Sequence, residues 1–336
     1  MTIAANFTPK SAILSFVITH ELLTMGLFLD SLANKYFRMN TKEKCRVRFD
    51  LTDYLTHFIH KRTYGTQKDY ICFDKNDNPC YPAPNPLYES GYQLSEGSSF
   101  DVLVKILYDG LLRTGWSDRN DSATVYGRRS AVCFTEMPLY GLIKYALNRQ
   151  DAFRVDYYGI AFDRRKMFCY GARPVIYGFS GGPTENPDEF ITPAGYRMLN
   201  AQKHLPLCEQ YRFVKTEIYS DTSNDIDWMH EREWRWPLKV NEDDGTPLYP
   251  EVPGIPIYGF DNVVIIVKTS QEKECIGKIL QKFYDDPKWR FDSFRKNIIK
   301  WRMIATDDLW LDDPEYRYEN KRIEDIDNTI FGRIIP

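Results

Sequence analysis

Hydrophobic and polar positions follow two rhythms along this chain. The helical rhythm, with apolar residues every three or four positions, runs through Ile13, Phe16, Val17, Leu22, Leu23, Leu27 and Leu32 and predicts a helix over 11–38. It recurs at Leu51, Tyr54, Leu55, Phe58 and Ile59, predicting a helix over 51–62. A loop rich in Asn, Asp and Pro follows over 76–86, and we place a soft boundary near residue 88. The expected organisation is an N-terminal helical segment or lid over 1–88 and an α+β domain over 89–336.

Beyond the boundary the elements shorten. Ser98 or Ser99 can cap a helix carrying Phe100, Val102, Leu103, Ile106 and Leu107, and Gly110 ends it as a C′ glycine does. Residues 117–130 read as a polar loop entering a strand, Ala131–Glu136, which Met137-Pro138 stops before a helix over 139–149. Tyr157–Phe162 and Pro174–Phe179 read as strands, and 192–213 as a mixed, helical segment. Asn262–Val267 is the most apolar strand, followed by a helix over 270–285 and by a helix or strand holding Ile298, Ile299, Trp301 and Met303. These elements do not alternate regularly enough for a doubly wound parallel sheet. They imply α+β with a mixed or antiparallel β core and flanking helices.

One stretch stands out within this pattern: His230-Glu231-Arg232-Glu233-Trp234-Arg235-Trp236-Pro237. Read as a strand, it puts Glu231, Glu233 and Arg235 on one face and Arg232, Trp234 and Trp236 on the other. The tryptophans can anchor one face by burial. The carboxylates then lie about 7 Å apart, from a rise of roughly 3.3 Å per residue. That span suits a ribose, with one carboxylate on a hydroxyl and the other facing the anomeric carbon. The competing reading is a solvated strand with a local Glu–Arg pair.

Composition narrows the classes. Aromatics are 15% of the chain, in keeping with a β-rich core. The net charge of −3 supplies no global field for nucleic acid. A local basic run nevertheless passes through Arg113, Arg119, Arg128, Arg129, Arg149, Arg154, Arg164, Arg165 and Lys166. The 7 cysteines are odd in number and form no C-x-x-C pair. With no secretory signal pattern, the reading is a cytoplasmic protein with free thiols, and a Cys72–Cys80 disulfide is the lesser alternative. No apolar run reaches the ~18 residues of a membrane span, and no His/Cys spacing points to a metal site. P-loop and G-x-G-x-x-G patterns are absent, and Gly178-Phe179-Ser180-Gly181-Gly182 lacks the following helix of a nucleophile elbow. Arg128 and Arg129 precede the VCFTE strand, where forked guanidinium donors could hold a pyrophosphate. Cys133 reads as a core residue, and Glu136 as a carboxylate at a helix N-terminus.

Taken in order, AVCFTEMPL, YYGIAFDR, GARPVIYG and HEREWRWP resemble the AbiGi-type abortive-infection family of phage-resistance proteins. The layout is also similar to the wider set of ADP-ribosyltransferase-like defence proteins, over residues 92–240, with the helix turn at Asp109-Gly110-Leu111. The resemblance implies an ADP-ribosyltransferase-like fold and a toxin that moves ADP-ribose from NAD to RNA, DNA or protein. It also implies a protein antitoxin as partner. Glu233 would be catalytic and Glu231 accessory, with Arg128 or Arg129 on the NAD phosphates and Trp234 or Trp236 stacking on nicotinamide or on a target base. The His or Arg that such proteins carry before the Gly-Leu turn is missing here, and Gln93 or Ser95 stands in that place. Two alternatives stay open. One is a non-catalytic antitoxin or sensor subunit. The other is a metal-dependent nuclease using Glu231, Glu233 and Asp225 or Asp227.

Overall fold

The computed structural model describes residues 52–62, 72–80, 87–88, 90–92, 94, 96–119, 122–149, 155–179, 189–193, 195–201, 205–216, 229–240, 254–309 and 332–333. The helix expected over 11–38 lies outside them. In chain order the strands are β1 (Tyr54–Ile59), β2 (Cys72–Phe73), β3 (Pro79–Cys80), β4 (Leu111–Arg113), β5 (Asp118–Arg119), β6 (Ser122–Ala123), β7 (Ala131–Thr135), β8 (Tyr158–Asp163) and β9 (Arg173–Pro174). They continue as β10 (Ile176–Phe179), β11 (Glu189–Ile191), β12 (Arg197–Leu199), β13 (Phe213–Thr216), β14 (Glu233–Pro237), β15 (Gly254–Pro256), β16 (Val264–Val267), β17 (Arg302–Ala305) and β18 (Gly332–Arg333). The helices are α1 (Ser99–Asp109), α2 (Leu139–Arg149), α3 (Arg164–Tyr170), α4 (Ser270–Asp285) and α5 (Arg295–Ile298).

Eight strands form the main sheet in the order β18-β17-β16-β8-β1-β7-β14-β9. Every adjacent pair in it is antiparallel except β16 with β17. The architecture is α+β with a mostly antiparallel sheet, as the element pattern implied. Among the described helices none is long and apolar enough to cross a membrane.

Both faces of this sheet are covered, which explains why inner strands such as β8 and β16 are apolar along most of their length. The first face presents Leu55 and Ile59 of β1, Val132 and Phe134 of β7, Ile160 and Phe162 of β8, and Ile265 and Val267 of β16. Against it pack Leu103 and Leu107 of α1, Met167 of α3, and Ile276 and Leu280 of α4. On the second face, Tyr54, Ala161, Val264 and Ile266 meet Leu139, Leu142 and Ile143 of α2. Further along that face, Ala131 joins Phe73, Trp116, Tyr196 and Tyr211 in a separate aromatic cluster. The second face is therefore covered by two layers, with a seam over the junction of β7 and β14.

Three expectations are corrected. The helix read over 51–62 is β1, a strand inside the sheet, paired with β7 and β8. Chain before residue 88 thus supplies a strand to the same sheet as chain after it. Pro174–Phe179 is not one strand: β9 joins the main sheet and β10 pairs in parallel with β13. The segment 192–213 holds no α-helix among its described residues. It contains β12, which pairs with β11, a 3₁₀ turn at Gln210–Arg212, and the first residue of β13.

A polar seam at the start of β14

β14 begins three residues later than the sequence pattern suggested, at Glu233 and not at His230. Met229–Glu231 forms a 3₁₀ turn, and Arg232 sits at φ 46°, in the left-handed region that a bulky side chain rarely adopts. Arg232 N–H donates to Met229 O at 3.2 Å, and Arg232 O accepts from Glu136 N–H at 3.1 Å. Glu231 therefore leaves the strand alternation that would have aligned it with Glu233 and Arg235. The left-handed residue redirects the chain, so that both carboxylates stand where β14 meets the end of β7.

From Glu233 onward the alternation holds. Glu233 lies opposite Thr135, and Arg235 opposite Cys133, on the second face. Trp234 and Trp236 lie on the first. Trp236 is buried, stacks on Tyr170 at 5.6 Å, and donates from Nε1 to Tyr170 O at 3.0 Å, so it anchors the strand as expected. Trp234 donates from Nε1 to Glu136 Oε2 at 2.8 Å, and Glu136 also pairs with Arg164. The indole of Trp234 thus stands on the opposite side of the sheet from Glu233 and is not part of one site with it.

Glu233 and Arg235 form a nearly dry ion pair. Arg235 Nε donates to Glu233 Oε1 at 2.7 Å and Nη2 to Oε2 at 3.3 Å, while Nη1 donates to Tyr211 O at 2.8 Å and Phe213 O at 3.2 Å. The side chains are only 12% and 3% exposed for Glu233 and Arg235. This face was expected to meet solvent, a partner or substrate, but Arg235 is part of the interior. Burial works against its charge, yet Glu233 and Cys133 outweigh that effect and hold the proton more tightly than in an ordinary arginine. Burial, then Glu233, pushes the Cys133 thiol well above the usual range. This agrees with a core role for Cys133 and not a nucleophilic one.

Glu231 is held differently. Its Oε1 accepts from Tyr145 Oη at 2.7 Å, and Arg149 Nη1 donates to the same Oη at 3.2 Å. Tyr145 and Arg149 are i, i+4 on α2, so one helix face delivers both. The exposed His230 ring lies edge-on to Tyr145 at 5.2 Å. Thr135 Oγ1 donates to Glu231 O and accepts from Met137 N–H at 3.0 Å, tying the turn to the end of β7. From β10, Tyr177 Oη accepts from Glu233 N–H at 3.1 Å, and burial pushes its hydroxyl up to about 12, so it stays protonated at neutral pH. The seam therefore joins two carboxylates, two tyrosine hydroxyls and two guanidinia.

The other expected ligands are not brought here. Arg128 pairs with Asp77 at 3.2 Å. Arg129 donates to Cys208 O and lies over the Tyr211 ring at 5.1 Å. Both guanidinia are engaged within the chain, Arg128 by Asp77 and Arg129 by Cys208 O and the Tyr211 ring. Gln93 and Ser95 lie outside the described residues, as do Asp225 and Asp227. Among the described residues no group of three or more His, Cys, Asp or Glu side chains is placed to hold a metal. Tyr145 and Tyr177 were missed in the sequence, and Arg149 was read only as part of the basic run. The i, i+4 spacing of Tyr145 and Arg149 on a helix was the available signal. Nothing local links Tyr177 to Glu233. Family models, curated proteins and solved structures give no match to this chain.

Proposed function

We propose that the chain is an ADP-ribosyltransferase of a bacterial phage-defence system, cleaving NAD at the seam and passing ADP-ribose to a nucleic acid or a protein. The observation that carries this reading is the pair of carboxylates at the start of β14: Glu233 fixed by Arg235, Glu231 held by Tyr145. A rigidly held carboxylate stabilises positive charge developing on a ribose ring without reorganising at the moment of reaction. Glu233 supplies the opposing negative charge and accepts from the ribose 2′-hydroxyl. The bond from the anomeric carbon to nicotinamide breaks, and nicotinamide leaves with the electron pair. The acceptor's nucleophile bonds to the same carbon, and its proton passes to Glu231. Tyr177 donates a hydrogen bond, and Arg149, beside Tyr145, takes the phosphate role first assigned to Arg128 or Arg129.

A second reading draws on a specific feature. Glu233 is already satisfied by Arg235, and Arg128 and Arg129 are engaged within the chain. A non-catalytic antitoxin or sensor subunit needs none of these groups free. The two readings separate on nicotinamide release from NAD by the purified chain. The enzyme reading expects release by the wild type and a loss of about 10²–10³-fold in Glu231→Gln and Glu233→Gln. Release that is absent in the wild type, or unchanged in both variants, favours the binding subunit.

A further inference from the structure

We infer that Cys72 and Cys80 form a reversible disulfide, making the β2–β3 hairpin a thiol-modification site. The two residues are direct partners in the antiparallel pairing of β2 with β3. Across the same hairpin, Asp74 N–H donates to Asn78 O at 3.0 Å. That pair and the cysteine pair are two steps apart on the ladder, so both occupy hydrogen-bonded positions, with Pro79 at the intervening position where no N–H is needed. Partners at such positions have Cα atoms about 5.5 Å apart, inside the roughly 4.4–6.8 Å that a disulfide spans. Both side chains face Leu238 and Val240 in one small cluster, so they leave the ladder on the same side.

The same register makes the bond labile. In hydrogen-bonded pairs the side chains start further apart than in non-hydrogen-bonded pairs. Closing a disulfide there strains the hairpin, and strained disulfides are the more easily reduced. The pair is also asymmetric. Cys72 is fully buried, with its thiol pushed upward first by burial, whereas Cys80 is partly exposed. With a low-molecular-weight disulfide such as oxidised glutathione as oxidant, the Cys80 thiolate attacks one sulfur and releases one glutathione thiolate. Cys72 then attacks the Cys80 sulfur of the mixed disulfide and displaces the second glutathione, its proton passing to the departing glutathione sulfur. Two protein thiols become one disulfide, and one oxidised glutathione becomes two reduced ones. The cross-link sits directly behind Arg128 and Arg129, because Phe73 N–H donates to Arg128 O at 2.9 Å and Cys72 bridges Arg129.

The test is peptide mapping by mass spectrometry of the native full chain after exposure to oxidised glutathione, with Cys80→Ser and Cys72→Ala alongside. The expected result is a Cys72–Cys80 linked peptide in the wild type that disappears on adding dithiothreitol. Cys80→Ser should lose the link and leave Cys72 unmodified, while Cys72→Ala should keep glutathione on Cys80. Glutathione retained on Cys80 in the wild type with no link, or a link that forms only in denaturant, would overturn the inference. Should Cys72→Ala fail to fold, the wild-type map and Cys80→Ser decide it alone.

Discussion

Arg235 shows how far one residue's role depends on what surrounds it. Three of its nitrogens are used, by the Glu233 carboxylate and by the carbonyls of Tyr211 and Phe213. Removing one partner of a buried pair strands the other, at a cost of about 3–5 kcal/mol. Arg235→Met is therefore expected to lower unfolding free energy by that amount in urea titrations. Glu233→Leu/Arg235→Met should recover part of it, the remainder reflecting the two carbonyls left without a donor. A change below about 0.5 kcal/mol in the single variant would mean the pair is solvated after all. For the same reason Glu233→Gln is a better probe of chemistry than Glu233→Ala. His57 offers a second test at this scale. Burial lowers its pKa from 6.5 to about 4, against a hydrogen bond with Cys133 O at 2.8 Å that raises it. Its neutral form is thus preferred in the fold, and the unfolded chain binds the extra proton between those two values. Stability from this group is complete above pH 6.5 and is lost as pH falls toward 4. The loss is at most about 3 kcal/mol, and less where the ring's exposed edge stays hydrated. His57→Phe, which keeps the edge-to-face contact with Phe134, should remove that part of the wild-type pH dependence.

At the scale of elements, α1 is built as its sequence says. Ser98 caps it in a box with Asp101, and Gly110 ends it at φ 72°. Ser98→Ala should cost about 1 kcal/mol in thermal or urea unfolding, and an unchanged stability would show that the box carries no load in the folded chain. The segments that could be read correctly carry such markers or a long run: α1, α2 and α4, and the apolar strands β7, β8 and β16. β1 was misread for a physical reason. Leu55, His57 and Ile59 face one layer, while Tyr54, Thr56 and Phe58 face the other. With both faces covered there is no polar alternation, and the apolar spacing fits a helix equally well. The candidate site was half legible. Glu231 and Glu233 could be singled out by type and spacing. The left-handed Arg232, the tyrosine from α2 and the tyrosine from β10 are products of tertiary arrangement. The ion pair inside the Glu-x-Glu-x-Arg run was weighed in the sequence as an exposed contact, and burial is what changes its meaning.

For the molecule as a whole, the proposed site lies where two covering layers meet over one sheet. α2 brings Tyr145 and Arg149 from one side, and the aromatic layer brings Tyr211 and Phe213 from the other. The β7–β14 junction fixes the carboxylates between them, Glu233 on the strand and Glu231 on the 3₁₀ turn before it, which suits a site that must hold charge in place. The deciding measurement is incubation of the purified chain with labelled NAD and separate pools of RNA, DNA and protein, with Glu231→Gln and Glu233→Gln in parallel. The account predicts label in one pool with the wild type and a loss of about 10²–10³-fold with each variant. No transfer to any pool, together with no NAD binding by calorimetry, would contradict it and leave the partner-binding subunit as the reading to pursue.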